Sequence, residues 1–251
     1  MLSIYIGSTV LIALVVYLSW RYELSLEKTT VISTLRGFIQ LILLGYALKY
    51  IFALEHPAWI ILVILFMTTF ATHAARQRAN KRLGSYKTAF LTILISSGLT
   101  LSLMYFLRII PFEIEKAIPV AGMAIGKTMN TYALMVDRLE GEVQKSIDII
   151  EGKIALGANL KQALQSVEKA SIRMSMIPVI NNMATAGVVF IPGMATGMLL
   201  AGASPVYAVS FQIAIFCMII SVSILTGIIG TTLFRSTVMS AAMLRPADEN
   251  S

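Results

Sequence analysis

The chain is 251 residues long, 57% hydrophobic and 13% charged, with a mean hydropathy of +0.80, where ordinary soluble domains carry about 25% charged residues. That composition excludes a soluble globular enzyme and defines an all-α, polytopic integral membrane protein. The net charge of +7 sits in short loops between apolar runs, so it reads as positive-inside topology and not as a nucleic-acid surface.

A bilayer span needs about 20 largely apolar residues, and the pattern predicts about seven. The first, Leu2–Trp20, lacks a basic flank and a small-residue cleavage site, so it reads as a retained span and not a signal peptide. Thr30–Phe52 follows a polar link, and Glu55-His56-Pro57 turns the chain into a third span, Ala58–Ala74. Arg76, Arg78, Lys81, Arg82 and Lys87 then form a loop with no acid. This loop is expected in the cytoplasm of the plasma (inner) membrane. Thr88–Leu107 is the fourth span, a Pro111–Lys116 link comes next, and Ala117–Met135 is the fifth.

Asp137–Arg173 carries six basic and six acidic residues and cannot cross a bilayer. Ile177–Leu200 and Val206–Phe234 are the last two expected spans, with Ile177-Pro178 expected to break the helix ahead of the sixth. With the cationic loop inside, the amino terminus lies outside, the carboxyl terminus inside, and the polar insert (about 137–176) faces the cytosol. One membrane domain, 1–251, holds all of it.

Two short stretches echo one another. Pro119 precedes Gly122-Met123-Ala-Ile-Gly126, and Pro192 precedes Gly193-Met194-Ala-Thr-Gly197. Glycines four apart let another backbone approach, and proline loosens a helix, so these positions read either as ordinary packing or as hinges of a path. Ala121–Thr128 also satisfies a relaxed phosphate-loop pattern, but it lies inside a membrane-length apolar run without a preceding strand. No protease or hydrolase signature is present, and His56 and His73 read as boundary residues. The single cysteine, Cys217, excludes an intrachain disulfide and reads as a small packing hydrophobe.

Arg36 and Gln40 lie one turn apart in the second span. Arg36 either snorkels to headgroups or orders a gate. Asn130, Asn181 and Asn182 either bond across helices or line a wet path. Met123, Met129, Met183, Met194 and Met198 crowd spans five and six. Thioethers there are flexible filling or soft-metal contacts, and such ligands favour ions such as Cu(I) over iron. With no acid deep in any span, an ion-coupled secondary transporter is disfavoured.

Several stretches together resemble one family. Glu151, Ala155, Leu156, Gly157 and Ala158 match the E-x-x-x-A-L-G-A core of the cytoplasmic loop by which ABC-transporter permeases dock on their ATPase. Arg36-Gly-Phe-Ile-Gln40, Ile118-Pro-Val-Ala-Gly122-Met123, Met129-Asn130, Ile191-Pro-Gly-Met194-Ala-Thr-Gly197, Gly202-Ala-Ser-Pro205 and Gln212 extend the match over nearly the whole chain. The sequence is similar to the FetB-type permeases, bacterial iron-export ABC permeases with plant aluminium-tolerance relatives.

The resemblance implies a homodimeric permease in a lipid bilayer that binds no cofactor itself. ATP and Mg would sit in a separate ATP-binding subunit docked on Glu151, Ala155, Leu156, Gly157, Ala158 and Asn159. Arg36, Gln40, Met123, Asn130, Asn181, Met194 and Met198 would line the path or gate, with Pro119, Gly122, Gly126, Pro192, Gly193 and Gly197 as packing or hinge positions. The cargo would be iron or a related metal, or a nucleotide sugar as for the plant relatives; the rival is a non-transporting scaffold. Two features depart from the family pattern. The 21 residues from Gly157 to Pro178 imply a docking hairpin longer than in importers, and Lys127 places a cation beside the expected metal route, where charge repulsion opposes passage.

Overall fold

The computed structural model describes residues 2–52, 58–78, 85–110 and 113–243. The expected turn at His56, the cations Lys81 and Arg82, the Pro111 link and Arg245 lie outside the described residues. Among the described residues the chain forms nine α-helices and no strand, in two compact units, 1–59 and 60–251.

In the first unit, α1 (Leu2–Arg21) and α2 (Glu27–Ile51) form a hairpin. The turn between them holds Glu23 and Ser25 at φ 53° and 55°, a region that costs a non-glycine residue on the order of 1 kcal/mol. Ser19, buried at the end of α1, offsets this by closing the turn. Its hydroxyl donates to Glu27 Oε1 at 2.8 Å and accepts from the Leu26 N–H at 3.2 Å. No side chain of α2 is buried, so its Leu and Ile surface is suited to lipid.

The second unit is built on α5 (Ile114–Lys145). Its buried residues recur at helical spacing, from Ala117, Ala121 and Ala124 through Thr128, Tyr132 and Met135 to Leu139 and Val143. This face joins two apolar clusters. One gathers α3 (Ala58–Arg78), the start of α4 (Tyr86–Phe106), α6 (Ile147–Ala155), α7 (Leu160–Thr185) and Phe234 near the end of α9 (Pro205–Met243). The other gathers the end of α4, the start of α5, α8 (Gly193–Leu200) and the start of α9. α5 outruns the expected fifth span by ten residues, Lys145 against Met135, because its amphipathic pattern continues into the polar insert.

Among the described residues, four helical stretches are long and apolar enough to cross a membrane: 27–51, 59–77, 86–106 and 205–235. The expected sixth span needs correction. α7 runs through Pro178 and ends at Thr185; residues 186–192 are irregular, and α8 is a separate eight-residue helix. Pro178 is exposed, and a helix tolerates the loss of one N–H where its ring meets no neighbour. The break falls instead where Gly187 takes φ +81° and Pro192 caps α8.

Many hydroxyls inside the apolar helices are satisfied locally, the buried Ser96 Oγ being an exception. The hydroxyls of Thr68, Thr72, Thr92, Ser97, Thr100, Thr128 and Thr226 each donate to the carbonyl four residues back. Thr131 donates across to Ser223 on α9 at 3.3 Å. Close approach is concentrated at two glycines of α9. A Cβ on Gly227 would lie 2.9 Å from Ile172 Cγ2 of α7, and one on Gly230 would run into Met135 of α5.

Of the four glycines in the repeated motifs, only Gly122 has a neighbour, Met67 Cε at 2.9 Å from where its Cβ would be; around Gly126, Gly193 and Gly197 nothing lies within 4 Å among the described residues. Cys217 also departs from expectation. It is exposed on α9 instead of packed in the core, because it falls between the buried positions Ile215 and Met218.

The stiff, β-branched Ile172 cannot swing away from a new methyl, so Gly227→Ala should destabilise the protein by about 1–3 kcal/mol. Gly98→Ala, in open space on α4, should be neutral or gain up to about 1 kcal/mol of helix propensity. Unfolding midpoints in detergent check the pair.

Candidate functional site

The polar insert folds as a helical hairpin with a stiff tip. α6 ends in a Schellman arrangement: the Gly157 N–H donates to the Ile154 carbonyl at 2.9 Å, and the Ala158 N–H to the Lys153 carbonyl at 3.0 Å. Gly157 sits at φ +92°, a conformation an L side chain strains to adopt. Two residues on, Asn159 begins α7 with a reciprocal capping box. Its Oδ1 accepts from the Gln162 N–H and its own N–H donates to Gln162 Oε1, both at 2.9 Å. Ile150, Ile154 and Leu160 anchor this turn to the first apolar cluster.

What remains outside is the set singled out in the sequence. Glu151, Ala155, Gly157 and Asn159 are exposed, Ala158 is half-buried, and Leu156 projects with 90% of its surface free. A large aliphatic side chain held by a rigid turn is a poor solvent-facing residue and a good contact for another protein surface.

The path candidates divide. Met123, Met194 and Met198 come together in the second apolar cluster, alongside buried Met104 and Met218. This thioether group joins α4, α5, α8 and α9. Asn130 on α5 and Asn181 on α7 are exposed on separate helices, as is Asn182. Arg36 and Gln40 are exposed on α2 in the first unit. Pro119 lies in the second turn of α5, while Pro192 and Gly193 open α8. Gln212 holds that opening, its Oε1 accepting from the Ala195 N–H at 3.3 Å. Ala121–Thr128 is continuous helix, which leaves no loop to cradle a phosphate. His73 pairs with Gln77 at 2.8 Å on an exposed face of α3. Among the described residues no three His, Cys, Asp or Glu side chains cluster.

One constellation was missed in the sequence. Glu168 of α7, 8% exposed, receives two bonds from Arg235 of α9: Nε donates to Oε1 at 2.7 Å and Nη2 to Oε2 at 3.0 Å. The signal was present. Lys161, Gln165, Lys169 and Arg173 recur every fourth residue and are all exposed, whereas Glu168 falls on the opposite series with Leu164, Ser171 and Ser175. An acid on the buried face of an otherwise amphipathic helix calls for a cation from elsewhere, and Arg235 closes the apolar stretch of α9. Removing one half alone would strand a buried charge, at about 3–5 kcal/mol.

Fold and site together define a polytopic helical membrane protein with a protruding, capped helical hairpin. The chain belongs to the Uncharacterised protein family (UPF0014), which it matches over residues 3–239. It is 36% identical over 228 residues to the protein ALUMINUM SENSITIVE 3 of Arabidopsis thaliana, covering 90% of this chain and 83% of the relative. It is 34% identical over 219 residues to the Probable iron export permease protein FetB of Escherichia coli (strain K12), covering 87% and 85%. It is 36% identical over 220 residues to the UPF0014 membrane protein YjkA of Bacillus subtilis (strain 168), covering 88% and 87%. No solved structure matches.

Asn159→Ala should remove about 1 kcal/mol of capping. Amide exchange at Gln162 should then speed about fivefold, with no change at Leu139 in the core, as read by hydrogen–deuterium exchange.

Proposed function

We propose that this chain is the permease subunit of an ABC transporter, one permease domain over 1–251 that works as a homodimer with two separate ATP-binding subunits. It exports iron or a related metal cation across the plasma (inner) membrane by alternating access. ATP and Mg reside in the partner, and this chain performs no hydrolysis. The α6–α7 hairpin lies in the cytosol, the amino terminus outside and the carboxyl terminus inside, with about seven membrane passes, the sixth of them discontinuous.

The single observation that carries the reading is the tip. Ala155-Leu156-Gly157-Ala158 forms a turn fixed by a Schellman motif and a capping box, with Leu156 90% exposed. A bend that rigid transmits displacement instead of absorbing it, which suits a surface that receives work from another subunit. The names of two relatives, one a probable iron export permease and one ALUMINUM SENSITIVE 3, support a metal cargo. The methionine group of α4, α5, α8 and α9 is the lining assigned to the path, as a deformable apolar surface instead of a fixed chelate.

The test is co-purification with candidate ATP-binding subunits, followed by cargo-stimulated ATP hydrolysis in vesicles. Leu156→Asp should abolish co-purification. Gly157→Arg should insert normally yet lose stimulation, because the side chain strains the turn and a cation blocks the bend; wild-type stimulation in that variant would sink the docking assignment. A Leu156→Cys probe in a Cys217→Ser background should react only from the cytosolic side, and external labelling would refute the topology.

Met194→Ala should lower transport more than Met67→Ala, since Met67 fills the space beside Gly122 while Met194 belongs to the thioether group. Equal transport rates for the two variants would reduce Met194 to packing.

A further inference from the structure

α7 and α9 are antiparallel neighbours fastened at two levels. Glu168 meets Arg235, and one turn further along α7 Ile172 fills the notch at Gly227. On the next face of α9, Gly230 abuts Met135 of α5. The two-pronged guanidinium–carboxylate pair is directional: both bonds survive only at one rotation and one register of the helices. Its side chains are 19% and 11% exposed for Arg235 and Glu168, so water is a poor substitute partner if α7 slides.

Further along, α7 loses its continuity. Residues 186–192 are irregular, with Gly187 at φ +81°, so an axial push along α7 is not delivered stiffly into α8. α9 offers a continuous route beside α5, whose buried face also joins both clusters. α9 is unbroken from Pro205 to Met243, and it carries Phe211, Ile215 and Met218 of the thioether cluster. Gln212 on the same helix holds the start of α8 through the Ala195 N–H.

We infer that the Glu168–Arg235 pair is the joint that locks α7 to α9, so that displacement of the 155–159 tip reaches the thioether cluster and α8 through α9 and not along α7. Glu168 and Arg235 are positioning residues in this scheme. The inference rests on the hairpin being the docking element. An apolar pair of similar volume would hold two helices together as well or better; what the ion pair adds is register.

The experiment uses the full chain with its ATP-binding partner in vesicles and reads three quantities: melting temperature, ATP hydrolysis and cargo moved per ATP. Glu168→Met combined with Arg235→Met removes both charges and keeps the packing. The expected result is a melting temperature and hydrolysis rate near wild type, with cargo per ATP reduced about fivefold or more, the low end of coupling between sites. An unchanged ratio overturns the inference. So does a loss in which hydrolysis, transport and melting temperature fall together, since the pair is then only structural.

Arg235→Lys decides the matter if the double variant fails to assemble. It keeps the charge but gives up the fork, and a normal cargo-to-ATP ratio in it refutes the joint, whereas a lowered ratio with normal hydrolysis supports it. Failure of the wild-type chain to stimulate any ATPase would instead refute the docking assignment itself, and the joint with it.

Discussion

The second unit depends on the fit of α5 against α4, α7 and α9. In lipid the hydrophobic effect supplies no attraction between helices, because the tails are as apolar as leucine. What remains is close packing and a few polar bonds, and α5 has both. Ala117, Ala121 and Ala124 keep its first turns narrow enough for α4 and α9 to approach. Lower down, Tyr132 and Met135 fill the space left by Gly230, and Thr131 bonds Ser223. The bulk is on one helix and the recess on the other, which is why Gly227 and Gly230, two of the closely packed glycines, are on α9.

The same solvent logic governs the break at 186–192. Unpaired backbone groups cannot face hydrocarbon, so irregular chain at membrane depth persists only inside protein or beside water. Part of the need is met locally: the Gly187 N–H donates to the Phe190 carbonyl and the Val189 N–H to Thr185, each at 2.9 Å. Val188 and Ile191 stay exposed, and the Asn181 and Asn182 amides one and a half turns earlier are exposed too. Under the proposed homodimeric permease, apolar and amide groups side by side at a helix break would suit a seam between its two copies better than a lipid face.

Much of this was legible from residues alone. Apolar runs of membrane length located α1 to α4 and the start of α9 within a few positions, because length and hydropathy are what a bilayer selects, whereas α9 runs nine residues past the expected Phe234. The tip was singled out by its resemblance to the E-x-x-x-A-L-G-A core, while its geometry, glycine at a positive φ and asparagine as the cap, belongs to the structure. The sixth span was misread for a physical reason. Pro178 is a stronger helix breaker on paper than Gly187, but exposure of its ring lets α7 continue. The glycine motifs say less, since spacing shows that a close approach is possible and not which neighbour is there; within the chain Gly122 meets Met67. Glu168 and Arg235 were separable from the other charges by helical phase, yet their pairing spans 67 positions, and no local pattern reports a partner at that distance.

Stiffness in this chain is unevenly distributed, and the distribution bears on mechanism. A partner can shift an equilibrium between two permease states only to the extent that it binds them differently. A soft tip would let the partner's movement be absorbed in the turn, leaving both states equally well bound and nothing transmitted. In the proposed scheme the Schellman and capping bonds would limit that loss at 155–159, and the ion pair and glycine notch would limit it again between α7 and α9. The segment 186–192 lacks a continuous helical ladder, and methionine thioethers repack at little cost. Those are the places where a path would have to change shape. Under the proposed function, a chain rigid at a docking tip and compliant along a path would have the properties alternating access requires, and the reverse arrangement would dissipate the free energy before it reached the cargo.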